Sequence, residues 1–423
     1  MKRLNRTDVL VIGAGPVGLF AAAEMVHRGL KVRVVDEEWR GTGFSYALAL
    51  HPGSMELMED LELAEPLANA GFHVETLRFR DGVEPAAELD YTKLDSRYPY
   101  LTIVPQNLLE QGLERWLENH GTKPSWKHRV TGIKETEDGV EAGLEKWGED
   151  MTGYAVARKT WVIEGAYSQP AGLVLGADGH TSIARTHLGT DFPSLGSAGL
   201  YAVFEFEWKS DPGPVAEIIL RSNGTDICWP LPGGRCRWSF QLPEGPMFTG
   251  ERMKQRLSEL GHWVAPGLDK DRLEAFIAER APWFTAGVRD LVWSIPIRFD
   301  RSLAAGFGRG RVWLAGDAAH LASPAGVHSM NVGFREGRNL AERFRTVLRD
   351  EAPLSSLDGY NGERRTEWEA LLNVGGGLRV TPAASEFVKT NAERILSCTP
   401  ASGRELDALL AQVGLELPSA SGK

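Results

Sequence analysis

The chain has 423 residues, 42% of them hydrophobic, with 47 Lys+Arg against 57 Asp+Glu and a formal charge of −10 at pH 7. That is apolar material enough for a large core and, at this length, for two joined domains; the acidic balance argues against a nucleic-acid partner. Three cysteines, Cys228, Cys236 and Cys398, are too few and too odd for a disulfide framework and fit a reducing cytoplasm. Cys228 and Cys236 are spaced to face each other across a hairpin as buried thiols. No C-x-x-C or similar metal-ligand spacing occurs, and the apolar run from Val9 to Ala23 is too short to span a membrane.

Val9 to Ile12 is a continuous apolar run, as in a strand buried on both faces of a parallel sheet. Gly13, Gly15 and Gly18 follow in the G-x-G-x-x-G spacing, with Pro16 and Val17 between them. Leu19 to Arg28 reads as a helix closed by Gly29, and Lys31 to Val35 as a second strand ending at Asp36. Strand, glycine turn, helix, strand and acid in that order predict a dinucleotide site. The first glycine makes the turn, the second admits a pyrophosphate, the third packs the helix, and the acid accepts from ribose hydroxyls. The motif alone does not separate FAD from NAD(P).

Residues 41–50 form a glycine-marked loop, and Ser54 to Leu63 has helical spacing. Alternation over 72–104 predicts a strand pair or an excursion from a sheet. Gln106 to Gly121 is an amphipathic helix with Asn107 as N-cap, Leu108, Leu109, Leu113, Trp116 and Leu117 as its apolar stripe, and Gln106 left to face a ligand. Strands fill 126–175, with turns expected at 137–139 and 146–148. Leu173 to Gly176 then runs into Asp178-Gly179. The segment 197–298 carries six tryptophans and period-2 stretches, predicting a mixed or antiparallel sheet with helices near 251–260 and 270–280. Arg311 to His320 returns to a strand followed by Gly316-Asp317. A loop from Leu321 precedes a helix from Asn331 to Arg349, and 353–423 is mostly helical.

Three strand-then-glycine segments, at Gly13, Gly176-Ala-Asp178-Gly179 and Gly316-Asp317, occur with the Gln106 helix, Ser182, Arg185, Pro324, Asn331 and Tyr360-x-x-Glu363-Arg364. In combination they resemble the class A flavoprotein aromatic hydroxylases, the para-hydroxybenzoate hydroxylase-like monooxygenases, over about residues 8–365. The resemblance implies an α/β fold. A Rossmann-like FAD-binding domain (1–77, 100–190 and 297–350) would carry an inserted mixed or antiparallel β-sheet substrate domain (78–99 and 191–296) and a C-terminal helical region (351–423). It implies FAD as the bound cofactor, NADH or NADPH as transient co-substrate, and O₂. The reaction would be hydroxylation of an aromatic or heteroaromatic small molecule through a flavin 4a-hydroperoxide. Epoxidation, decarboxylative hydroxylation or reduction on the same scaffold, and non-catalytic flavin binding, are the alternatives. A cytoplasmic monomer or homodimer is expected.

In such enzymes the first motif, Gly13, Gly15, Pro16, Val17 and Gly18, holds the ADP half, and Asp36, with Glu37 beside it, binds the adenosine ribose. Gln106 lies beside the ribityl chain, and Asp317, after Gly316, bonds the ribityl or pyrophosphate. Asp178 and Gly179 tie down their strand and are implicated in NAD(P)H use; read from the residues alone, Asp178 is equally a cap for the next helix. The loop Pro324-Ala-Gly-Val-His-Ser-Met-Asn331 would meet the isoalloxazine ring, which adds Pro324, Val327, Ser329, Met330 and Asn331 to the cofactor set. Two departures stand out. Val327 and Ser329 replace glycines, and His328 replaces a common glutamine, as a side chain that touches flavin or substrate or else lies on the loop surface, and that can titrate near neutral pH. Tyr46 stands where the family carries an arginine nearby. Pro324, His328 and Tyr46 are the candidate catalytic residues, with Arg221 a further candidate at the substrate.

Overall fold

The computed structural model describes residues 2–39, 49–152, 158–196, 198–211, 213–243 and 264–417. The apolar run at the start becomes the strand Thr7–Ile12, whose Val9 to Val11 are fully buried. It pairs in parallel with Val32–Val35 on one side and with the end of the long strand Arg158–Gly176 on the other. That strand pairs in parallel in turn with Val312–Leu314. The earlier half of the same long strand folds back antiparallel on Gly139–Thr152, which pairs with His128–Thr136. The result is one eight-stranded sheet, parallel where the glycine turns leave it and antiparallel beyond.

The helix after the first turn is Pro16–His27, beginning three residues before the sequence expectation. Pro16 explains the difference: its fixed φ suits the first helical position, where an N–H would have no partner. Gly29 follows the helix at φ +77°. The face from Leu19 to Ala23 is fully buried, against the helices Gln106–Asn119 and His328–Arg349. The approach to the latter is close, since a Cβ built on Gly337 would lie 3.0 Å from that of Ala21.

The second sheet has seven strands in the order Val288–Phe299, Gly199–Trp208, Arg235–Leu242, Gly224–Leu231, Val215–Arg221, Thr76–Asp81 and Glu84–Asp90. Only the Val215–Arg221 and Thr76–Asp81 pair is parallel, so the sheet is mixed. Alternation splits its side chains between two faces. Phe204, Phe206, Cys228, Cys236, Trp238 and Phe240 form a separate core beneath the helix Lys270–Arg280. Tyr201, Val203, Trp229, Trp293 and Ile295 join the main core instead. Cys228 and Cys236 are free buried thiols with their sulfurs 3.3 Å apart.

Several local expectations change. Lys146-Trp-Gly148 is a bulge within a hairpin strand, not a turn, because the strand continues past it with shifted register. Pro105, not Asn107, caps the helix Gln106–Asn119, and Leu108 is 39% exposed while Leu109, Leu113 and Leu117 are buried. The helix near 54–63 runs Pro52–Glu59. The expected helix at 251–260 lies outside the described residues. The C-terminal region holds the helices Asp358–Leu371, Glu386–Cys398 and Arg404–Gln412. Among the described residues, no helix is long and apolar enough to cross a membrane, and no cluster of three potential metal ligands occurs.

Candidate functional site

The four parallel strands end on one rung. Ile12 pairs with Val35, Gly176 with Ile12, and Gly176 with Leu314. Backbone bonds continue one step further: Gly13 N–H donates to Val35 O at 2.8 Å, Ala177 N–H to Ile12 O at 2.8 Å, and Ala315 N–H to Gly176 O at 3.0 Å. The residues that follow, Gly13, Asp36, Asp178 and Gly316, are thereby delivered side by side. The carboxyl ends of parallel strands are where open α/β sheets take their ligands.

Each glycine of the first turn has a distinct environment. A Cβ on Gly13, at φ +103°, would fall 2.1 Å from Ala177 O, and one on Gly18 would fall 2.1 Å from Gly13 O. A Cβ on Gly15 would meet nothing within 4 Å. The open side of the turn is thus at Gly15, the N-cap of Pro16–His27, which no side chain caps. Helix N–H groups face that space and favour an anion there. Asp36 accepts from Ala14 N–H at 2.6 Å and from Glu38 N–H at 2.8 Å; burial raises its pKa, while these two bonds pull it back. Glu37 is exposed and forms a long surface pair with Arg129, at 3.7 Å.

Asp178 takes the capping role. It accepts from Ser182 Oγ at 2.6 Å and from the N–H groups of Ile183 and Ala184 at 2.7 and 3.2 Å, closing the start of Ile183–Leu188. Gly179 follows at φ +73° with open space beside it. Gln106 lies in the first turn of its helix and donates to Glu110 Oε1 at 2.8 Å. Asp317 is exposed to solvent, yet the surrounding protein raises its carboxyl by desolvation, partly offset by His320 and His180.

The segment after Pro324 enters its helix three residues early, at His328. Val327 is the N-cap at φ +47°, ψ +34°, a left-handed conformation that a β-branched side chain rarely adopts. Asn331 is fully buried and all its bonds are internal: it accepts from His51 N–H at 2.9 Å and donates to Ala49 O at 2.9 Å and Val327 O at 2.8 Å. Ser329 Oγ accepts from Ala322 N–H at 3.2 Å, and Met330 is buried.

His328 is corrected by the structure. It is neither on the surface nor poised near neutrality; it is 2% exposed and bonds Thr399 O through Nε2 at 2.9 Å. Burial pushes its pKa down to about 4. His51, 5.9 Å away ring to ring, bonds Gly326 O at 3.0 Å and is likewise held neutral by burial. Two histidines thus tie this loop to its neighbours. Arg221 is engaged by Asp226, Asn223 and Gln241 O. Tyr46 lies outside the described residues.

Sequence reasoning missed His51 and Glu336. Glu336 lies within the long helix and is fully buried, where it accepts from Gly316 N–H, His320 and Trp368. An acid followed by Gly337, on a helix with buried neighbours at 333, 334 and 340, was the available signal.

The open turn at Gly15, the uncapped helix start, the acid at the end of the second strand and the exposed Asp317 fit an adenine dinucleotide. Fold and site therefore define a dinucleotide-binding protein with a second, β-sheet lobe. Comparison with known proteins agrees. The family described as FAD binding domain matches residues 6–374. Pentachlorophenol 4-monooxygenase of Sphingobium chlorophenolicum is 28% identical over 370 residues, covering 86% of this chain and 63% of that protein. The 12-dehydrotetracycline 5-monooxygenase/anhydrotetracycline 6-monooxygenase of Streptomyces rimosus is 28% identical, covering 85% and 67%. The crystal structure of p-nitrophenol 4-monooxygenase from Pseudomonas putida superposes with a TM-score of 0.69 at 25% identity, covering 86% of each chain. The chain spans about two thirds of the length of the two relatives matched by sequence. This chain belongs to the para-hydroxybenzoate hydroxylase-like class A family of FAD-dependent monooxygenases, and FAD is its cofactor.

Proposed function

We propose that this protein is an FAD-dependent aromatic hydroxylase that uses NADH or NADPH and O₂. The observation that carries the reading is the single rung on which Val35, Ile12, Gly176 and Leu314 end, aligning both acids with the open glycine turn. Gly15 and the first turn of Pro16–His27 would hold the pyrophosphate, Asp36 the ribose through its remaining lone pairs, and Asp317 the ribityl chain. Bound FAD, once reduced by a nicotinamide, would activate O₂ and supply an electrophilic oxygen atom.

The protein's part is placement, charge and dryness. The helix His328–Arg349 has no side-chain cap, so its first-turn N–H groups and dipole favour negative charge in front of the loop. Pro324 removes one donor and fixes its own φ. Asn331 and His51 immobilise the backbone behind it. The sheet face bearing Trp229 and Trp293 sets these rings beside the buried Glu205–Arg237 ion pair, with Arg237 over Trp293, and the rings support an aromatic substrate. Tyr201, on the same face, donates its hydroxyl to Gln241 Oε1 at 3.4 Å. A cytoplasmic setting is supported by the three unpaired cysteines.

The test is direct. Purified protein is loaded with FAD, and NADH or NADPH oxidation is followed with 4-nitrophenol, chlorinated phenols and fused-ring phenols. Stimulated oxidation, with one ¹⁸O atom from ¹⁸O₂ appearing in the product, is expected. Nicotinamide oxidation that no aromatic stimulates, or product oxygen derived from water, overturns the reading.

A further inference from the structure

Beneath the Gly316-Asp317 turn, three donors, two from the turn segment 316–320 and one from the helix Asp358–Leu371, converge on one carboxylate. Glu336 Oε2 accepts from Gly316 N–H at 2.9 Å and from His320 Nε2 at 2.8 Å, and Oε1 accepts from the Trp368 indole N–H at 2.9 Å. The Trp368 ring stacks on His320 with centroids 3.8 Å apart. Glu336, His320 and Trp368 are all fully buried, whereas Asp317 is exposed. The turn is therefore a boundary, with its N–H anchored on the dry side and its acid on the wet side.

We propose that Glu336 is the positioning residue for Asp317: by fixing the Gly316 N–H it sets where the Asp317 carboxylate stands, and so sets FAD affinity without touching FAD. The proposal rests on FAD being the cofactor. Its physical basis is directional. A carboxylate only accepts, and a buried one is tolerable only when donors surround it. Burial pushes Glu336 up, but His320 and the hydrogen bonds outweigh this and keep it below the usual carboxylate range. Three donors on two oxygens fix the orientation of the group, which filling the same volume would not do. Gly316, at φ +64° with Val17 pressed against it, has few other conformations open to it. Once its N–H is pinned, the adjacent Asp317 is aimed.

The experiment uses the full-length apoprotein, titrated with FAD by calorimetry and flavin fluorescence, with its melting temperature recorded separately. Glu336→Gln keeps the shape but turns one acceptor into a donor. It is expected to weaken FAD binding by about tenfold or more while the apoprotein still melts cooperatively. Asp317→Asn is expected to weaken binding as well, and the double variant no further than the worse single one, since both act through one contact. Trp368→Phe, which removes only the donor remote from the turn, is expected to stay within about threefold of wild type. An E336Q protein that binds FAD within about twofold of wild type overturns the proposal, as do E336Q and D317N effects that simply multiply. Should E336Q not fold, Glu336→Asp, which withdraws the acceptors by one methylene, is read by the same criteria. Wild-type protein that takes up no FAD refutes the cofactor assignment, and this proposal with it, and is told apart by needing no substitution.

Discussion

Val17, in the first turn of the first helix, packs against Gly316, the opening residue of the third glycine turn. A Cβ built on Gly316 would fall 3.1 Å from Cγ2 of Val17, and one on Gly333 only 2.6 Å from the same atom. Motifs at opposite ends of the FAD-binding region are thus one contact. The two turns cannot shift independently, which keeps a ligand bound across them in a fixed span.

Gly316→Ala tests this contact. Alanine at φ +64° costs about 1–2 kcal/mol in backbone strain, and the added methyl crowds Val17. The apoprotein should lose about 2 kcal/mol in urea unfolding and bind FAD more weakly. Adding Val17→Ala should recover part of the FAD affinity, because it clears the crowding but leaves the strain. No recovery would show that the Val17 contact does not transmit to the site.

Much of this arrangement was legible in the sequence, because its signals are local. The apolar run, the three glycines, Pro16 and Asp36 each act through the backbone within a few residues, and they place the first turn correctly. What escaped was set by distant partners. Nothing near His328 announces Thr399 as its partner, so a loop position suggested a titrating histidine that either met flavin or substrate or lay on the surface. Glu336 looked like one more charge on a charged helix, because Trp368 and Gly316 reach it only through the fold. The turn expected at Lys146 became a bulge because the partner strand continued alongside. Asp178 shows the local kind of signal again: an acid just ahead of a helix start reads as its cap, and the structure has it accept from Ser182, Ile183 and Ala184.

Protonation of His328 should weaken the fold in mild acid. Its pKa is about 4 in the folded chain against about 6.5 when unfolded, so the unfolded state binds more protons between those values and stability rises with pH across that window. The full effect is about 3 kcal/mol, complete only below pH 4. Acids with raised pKa, such as Asp36 and Asp317, act in the opposite direction but are common to both proteins compared. His328→Gln keeps a donor for Thr399 O and removes the titration. Urea unfolding from pH 4 to 7 should therefore show a shallower acid limb in H328Q than in wild type. Parallel limbs would rule out His328 as a contributor.

Val327 carries strain that a glycine would not. Left-handed backbone costs a non-glycine residue about 1–2 kcal/mol, more when β-branched. Val327→Gly relieves this, offset by about 1 kcal/mol of chain entropy and by lost packing of a partly buried side chain. Apoprotein stability should stay within about 1 kcal/mol of wild type, whereas valine-to-glycine exchange at a relaxed buried site costs well over 2 kcal/mol. Calorimetric melting decides it. A loss above that size would mean that Val327 contributes packing exceeding its strain.

Asn331 offers the sharpest contrast between shape and hydrogen bonding. Its amide donates to Ala49 O and Val327 O and accepts from His51 N–H, all in full burial. Asn331→Ala leaves those three groups unpaired and should cost about 3–5 kcal/mol. Asn331→Asp is nearly the same shape, but it sets an acceptor against two carbonyls in a dry site. The aspartate is driven to stay protonated, so its folded pKa is raised above the unfolded value near 4. A raised acid pKa means the folded state holds the extra proton, and stability falls as pH climbs through the interval. N331D should therefore be less damaged at pH 5 than at pH 8, while the N331A deficit stays level. Urea unfolding at the two pH values measures both, and an N331D deficit that does not grow with pH would mean that water reaches the site and that the Asn331 clamp is not dry.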